Sequence, residues 1–315
     1  MPAVEKLEER RTQRIAYKNI VFATDFSDAS QRALPYASAL ARRYGANVAL
    51  VHALGKEPRI PVPLEPTPYE LDLPLIEAER AMGKVADRLE EDHVEYRAVV
   101  EHGGVWDVLT AVIERDHSDL IVVGTHGRSG VTKFVLGSVA EEILRLAPCP
   151  VLTVGKNVTT GTPEFRTILY ATDFSPAANR ALPYAISLAE DYRAKLVLLH
   201  LVSPLPTVGL GVGLYAPALY AAEELAESQA ITCRNAGQKL FSLLADAKLS
   251  RAPEYKVGVD TVPEGILSAA SKYNADLIVI GASQGASVNA KARLPWTIIH
   301  PLVSEATCPV LTVAG

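Results

Sequence analysis

Residues 124–138 read GTHGRSGVTKFVLGS. Gly124 and Gly127 stand three apart, and Gly137-Ser138 follows after nine further residues. Such a spacing suits an anion. A glycine has no Cβ, so backbone N–H groups can approach oxygens closely. If a helix starts at Gly137-Ser138, its free N–H groups and positive dipole end favour a phosphate. Ser138 can cap that helix or donate to a phosphate oxygen, and Arg128 and Lys133 would neutralise phosphate charge. The same residues also suit a plain strand-to-helix junction, and spacing alone leaves both readings open.

A second constellation is Thr24-Asp25-Phe26-Ser27. A carboxylate at the end of a strand can accept from a ribose hydroxyl or from the amine edge of a base. It can also shape a turn or cap a helix, but Ser27 or Asp28 can serve as the cap instead. His52 and His200 end two apolar runs, with no Cys or carboxylate at metal-ligand spacing nearby. They read as hydrogen-bonded structural histidines. His126, inside the glycine loop, either shapes it or faces a ligand. The GLGVG run at 209–213 lacks the dinucleotide spacing and reads as an apolar loop. The sequence has no G-x-S-x-G elbow and no G-x-x-x-x-G-K-[ST] loop, and no catalytic residue is assigned.

These residues need strands and helices to hold them. Residues 20–54 and 168–202 are identical at 19 of 35 positions at an offset of 148. DLIVVG (119–124) pairs with DLIVIG (276–281), and CPVLTV occurs at both 149–154 and 308–313. The chain is therefore a tandem repeat: 1–155, a Thr/Gly/Pro-bearing linker at 156–165, and 166–315. In the first copy, strands are expected at 19–24, 47–54, 94–100, 119–124 and 150–154. Helices are expected at 29–44, about 70–91, 105–116 and 138–146. Ala33, Ala37, Leu40, Ala41 and Tyr44 put one apolar face on the 29–44 helix. Strands alternating with helices predict parallel βαβ units, whose ligands bind at the carboxyl ends of the strands. That places the TDFS turn and the GTHG loop in one crevice.

The chain has 315 residues, 49% hydrophobic and 21% charged, and a net charge of −5, which suits two globular domains. The acidic balance argues against nucleic acid or anionic membrane as the main partner. The N-terminal 1–14 is charged, without the apolar core of a secretory signal, and reads as a frayed arm or exposed helix. The uncharged stretch 196–222 is broken by prolines and glycines, so it reads as a strand and apolar loop and not as a membrane span. Cys149, Cys233 and Cys308 form no CxxC pair, and the expected location is cytoplasmic.

Together these residues resemble the universal stress protein family, in two copies covering nearly the whole chain. The family's ATP-binding signature, G-x2-G-x9-G-[ST], is complete here as Gly124, Gly127, Gly137 and Ser138. The resemblance implies two tandem Rossmann-like (adenine nucleotide alpha hydrolase-like) α/β domains, each a five-stranded parallel sheet of order 3-2-1-4-5 flanked by helices. It implies ATP, with or without Mg²⁺, as the ligand. Ala23, Thr24 and Asp25 would contact adenosine, and Ala53 would line the adenine side. Gly124, Thr125, His126, Gly127, Arg128, Gly137, Ser138 and Val139 would surround the phosphates. It also implies an internal pseudo-dimer through strands 150–154 and 309–313, with a homodimer of chains as an alternative. If those strands run antiparallel, Cys149 and Cys308 lie too far apart to bridge.

The second copy departs from this signature. Trp296-Thr297 stands where Gly137-Ser138 stood, and Gln284 where Gly127 stood, although Asp173 is kept. The expectation is ATP in the first half only, in a nucleotide-responsive stress or regulatory binding module. A slow ATPase is one alternative. Another is an interaction protein that docks an unknown protein partner through the 55–68 and 203–217 loops. The second half is then a structural partner or holds a different, apolar ligand.

Overall fold

The computed structural model describes residues 14–55, 72–125, 136–159, 163–205, 216–245, 247, 249–282 and 296–314. Several expectations lie outside these residues: the arm at 1–13, most of the 55–68 loop, the GLGVG run, Gln284, and the loop residues His126, Gly127, Arg128 and Lys133. The chain forms two compact units. The first spans 16–163 with 303–314, and the second spans 164–302 together with Arg14 and Ile15.

In the first unit, the apolar runs become strands β1 (Asn19–Ala23), β2 (Asn47–Ala53), β3 (Tyr96–Glu101), β4 (Leu120–Gly124) and β5 (Val151–Val154). The helices between them are α1 (Asp28–Tyr44), α2 (Leu73–Glu91), α3 (Val105–Asp116) and α4 (Ser138–Leu146). Parallel ladders give the order β3-β2-β1-β4-β5. The sheet is buried between helices, as parallel sheets require: Val21, Leu50 and Leu120–Val122 are at most 0% exposed. The face of α1 predicted by its 3.6-residue period is buried, with Ala33, Ala37, Leu40 and Ala41 at 0–3% exposure. Burying Leu40 alone stabilises this contact by roughly 2 kcal/mol. Gly45 ends α1 in the left-handed region, at φ 64°, where a residue without Cβ is unstrained.

The second unit repeats the plan with β6 (Thr167–Ala171), β7 (Lys195–Val202), β8 (Glu254–Val259) and β9 (Leu277–Ala282), in the order β8-β7-β6-β9. Its helices include α5 (Pro176–Tyr192), α6 (Ala216–Leu243) and α7 (Glu264–Lys272). The helix α8 (Trp296–Glu305) leads to β10 (Val310–Ala314). The expected loop at 203–217 thus gives way to helix from Ala216. Among the described residues no helix is long and apolar enough to cross a membrane.

The α/β class and the tandem organisation are as expected, and each repeat contributes five strands in the order 3-2-1-4-5. The last strand of the second repeat, β10, belongs to the first unit, where it pairs antiparallel with β5 in the register Val310↔Thr153, Leu311↔Leu152, Thr312↔Val151. The division into compact units thus groups β10, the fifth strand of the second repeat, with the five strands of the first. The physical reason lies in β5, which is buried along its whole length. Buried backbone N–H and C=O groups need partners, and an uncovered β5 edge would leave them unpaired. The Thr153 hydroxyl adds a bond, donating to the Val310 carbonyl at 3.1 Å. In this register Cys149 and Cys308 start opposite ends of the ladder, and no disulfide joins them.

Candidate functional site

The strand order reverses between β1 and β4, whose carboxyl ends open a crevice. The turn after β1 fixes Asp25 there. Phe26 adopts a left-handed φ of 62°, which costs a side chain about 1 kcal/mol. Local bonds offset that cost. The Phe26 N–H donates to Thr24 Oγ1 at 3.0 Å, and Asp25 Oδ1 accepts from the Ser27 N–H at 3.0 Å and the Ser27 hydroxyl at 2.6 Å. Ser27 is the N-cap of α1, accepting from the Ser30 N–H. Asp25 is thus part of the turn as well as of the crevice wall.

His52 closes the turn from the side. Its Nδ1 lies 2.7 Å from the Thr24 carbonyl, which can only accept, so Nδ1 carries the proton. Its ring also packs on Phe26, with centroids 4.3 Å apart. The second unit builds the same turn: Phe174 at φ 62°, His200 Nδ1 2.8 Å from the Thr172 carbonyl, and rings 4.5 Å apart. Both histidines therefore hold a strained turn. Among the described residues no group of three or more His, Cys, Asp or Glu could hold a metal ion.

A cavity of about 320 Å³ occupies the crevice, within the size range of small-molecule sites. It brings together nine of the twelve sequence-selected residues: Ala23, Thr24, Asp25, Ala53, Gly124, Thr125, Gly137, Ser138 and Val139. The other three, His126, Gly127 and Arg128, lie outside the described residues. The lining is graded across the sheet. Over β2 and α3 it is apolar except for His52, with Val51, Ala53, Val105 and Leu109; at β1 it offers Thr24 and Asp25; at β4 and α4 it offers Gly124, Thr125, Gly137 and Ser138.

One expectation about capping is corrected. The N-cap of α4 is Gly137, not Ser138, and it makes no side-chain capping bond. Gly137 instead donates its N–H to the Thr125 carbonyl at 2.8 Å, tying the helix start to the end of β4. The first turn of α4 thus meets the cavity without a capping side chain, which is the arrangement that suits an oxyanion. Ser30, Val51, His52, Val105, Leu109, Val123 and Ala140 also line the cavity. Val105 and Leu109 were visible in the sequence only as an i, i+4 apolar pair, a pattern shared with any core-facing helix.

An open parallel α/β sheet with a graded cavity at its order reversal defines the class. The sequence profile described as the Universal stress protein family matches residues 16–155 and 164–314. The chain belongs to that family, in two copies. A universal stress protein of Methanocaldococcus jannaschii is 35% identical over 142 residues, covering 44% of this chain and 83% of that protein. Another, of Thermus aquaticus, encoded in a QAH/OAS sulfhydrylase 3′ region, is 31% identical over 147 residues, covering 44% of this chain and 98% of its own length. A crystal structure of a universal stress protein from Archaeoglobus fulgidus superposes with a TM-score of 0.60 over 94% of this chain and 98% of that one. At 19% identity the likeness is one of fold.

Proposed function

We infer that the first repeat binds ATP and that the chain works as a nucleotide-responsive binding module in stress regulation. The observation that carries this reading is the graded cavity. An apolar wall at Val51, Ala53, Val105 and Leu109 suits a flat base. Asp25 suits a ribose hydroxyl. The start of α4, with Gly137 as its N-cap, suits phosphate oxygens, and Gly124 lines the same end of the cavity. His126, Gly127 and Arg128 are assigned to the phosphate side by the family signature alone. The second repeat lacks Gly137-Ser138 and serves as a structural partner, with β10 sealing β5.

Titration calorimetry with adenosine, AMP, cAMP and ATP tests the grading. Affinity should rise with each added phosphate and fall with salt for ATP, because the helix terminus and Arg128 act by charge. Equal affinity for adenosine and ATP would remove the phosphate half of the reading. Following phosphate release over hours in the same samples reports any slow hydrolysis.

A further inference from the structure

The repeats differ at one cavity wall in a way the glycine signature does not explain. Ala53 lines the first cavity, and the repeat offset of 148 puts Leu201 at its place. Ala53 is the last residue of β2 and Leu201 the last but one of β7. Ala53 is paired in register with Glu101, and Leu201 with Gly258. The following helices also correspond. The N–H of Val108 donates to the Gly104 carbonyl at 3.1 Å, and that of Gly265 to the Thr261 carbonyl at 2.9 Å, each the first i to i−4 bond of its helix. Gly265 therefore stands where Val108 stands in the first repeat.

Leu201 uses the room these glycines leave. A Cβ on Gly265 would lie 2.7 Å from Leu201 Cδ1, and one on Gly258 would lie 2.9 Å from Cδ2, both closer than real carbon atoms pack. The isobutyl group is therefore wedged between the end of β8 and the first turn of α7. Across the repeats, Ala53 with Glu101 and Val108 becomes Leu201 with Gly258 and Gly265. Side-chain bulk has moved from the neighbouring strand and helix to the position between them, and of the three first-unit residues it is Ala53 that lines the cavity. The rest of the nucleoside side is kept: Asp173 Oδ1 accepts from the Ser175 N–H at 2.9 Å, and His200 holds the Thr172 carbonyl as His52 holds that of Thr24.

We propose that Leu201 fills the space that Ala53 leaves open, so that the second unit excludes adenosine by a leucine plug, independently of its altered phosphate loop. The proposal rests on the reading of the first cavity as an adenosine site. Removing the plug should create a second nucleoside site, and moving it to the first unit should close the existing one.

The test uses adenosine, which ignores the phosphate side, in equilibrium dialysis against the full chain. Wild type should bind one equivalent. Leu201→Ala should bind two, and Ala53→Leu should lose at least about tenfold in affinity at the first site. Circular dichroism and gel filtration check that both variants are folded. A Leu201→Ala chain that gains no equivalent overturns the plug, whatever the wild type binds, and so does an Ala53→Leu chain that keeps wild-type affinity. If wild type binds none but Leu201→Ala binds one, the plug stands and the first-repeat reading falls. Should Leu201→Ala fail to fold, the Ala53→Leu arm decides alone.

Discussion

Gly124 lies directly against the first turn of α1: a Cβ on it would sit 2.6 Å from the backbone carbon and oxygen of Ala29. The repeat reproduces the contact, since a Cβ on Gly281 would sit 2.2 Å from the Ala177 carbonyl oxygen. The first glycine of the signature is therefore required by the packing of helix on strand, in the copy that has lost the rest of the signature as in the copy that keeps it. Gly124→Ala and Gly281→Ala should each destabilise their unit by about 1–3 kcal/mol, because the clash is with backbone and cannot be relieved by a rotamer change. Urea unfolding of both variants checks this. A neutral Gly281→Ala would mean that the glycine serves only a ligand.

The arm residue Arg14 should matter to the second unit. Its guanidinium bonds Asp191 of α5, whose side chain is only 2% exposed, and the Ile15 N–H donates to Ser187 Oγ at 2.9 Å. Arg14→Ala leaves the buried carboxylate without this partner and should cost about 2 kcal/mol. Asp191→Asn in the same chain should restore part of the loss. Thermal melts of the two variants distinguish this from an Arg14 that contributes nothing, the usual outcome for a surface ion pair.

Thiol chemistry offers a check on packing. Burial pushes the Cys149 thiol up to about 12, with the Asp119 carboxylate adding to the effect. At pH 8 its thiolate fraction is then about one in ten thousand. Iodoacetamide should label the partly exposed Cys233 in the native protein, and Cys149 and Cys308 only after unfolding. Native-state labelling of Cys149, read by peptide mass, would contradict the burial of the strand it precedes.

The N-cap of α2 should respond to acid. Asp72 accepts from the Leu75 N–H at 3.0 Å and pairs with His102. The His102 hydrogen bond, then the Leu75 bond, hold its carboxyl below the ordinary 3.8. A lowered folded value means the ionised group stabilises the fold above the unfolded value. That stability is lost as pH falls from 3.8 through the folded value. Hydrogen exchange at the first turn of α2, corrected for intrinsic rate, should accelerate in that window, and Asp72→Asn should flatten the dependence.

Much of this molecule was legible in its residues. The helices at 105–116 and 138–146 have the bounds that periodicity and the preceding glycines indicate. The nine described site residues line one cavity because the signature sits at strand ends, where parallel sheets place their crevices. The antiparallel pairing of β10 with β5 was legible through the family resemblance and not through periodicity, since a buried run of Val, Leu and Thr carries no mark of which edge it covers. The helical start at Ala216 was hidden by the apolar, proline- and glycine-broken run before it. Leu201 was invisible as a plug because its meaning depends on Gly258 and Gly265, 57 and 64 residues away.

The most direct measurement is ATP stoichiometry. Freshly purified protein is denatured and its released small molecules identified by mass; stripped protein is then dialysed against labelled ATP. One ATP per chain in the wild type, and none in a folded Gly137→Trp variant that copies the second repeat, is the predicted result. Two per chain, an unaltered Gly137→Trp, or no adenine nucleotide in either step would contradict a single ATP site in the first repeat.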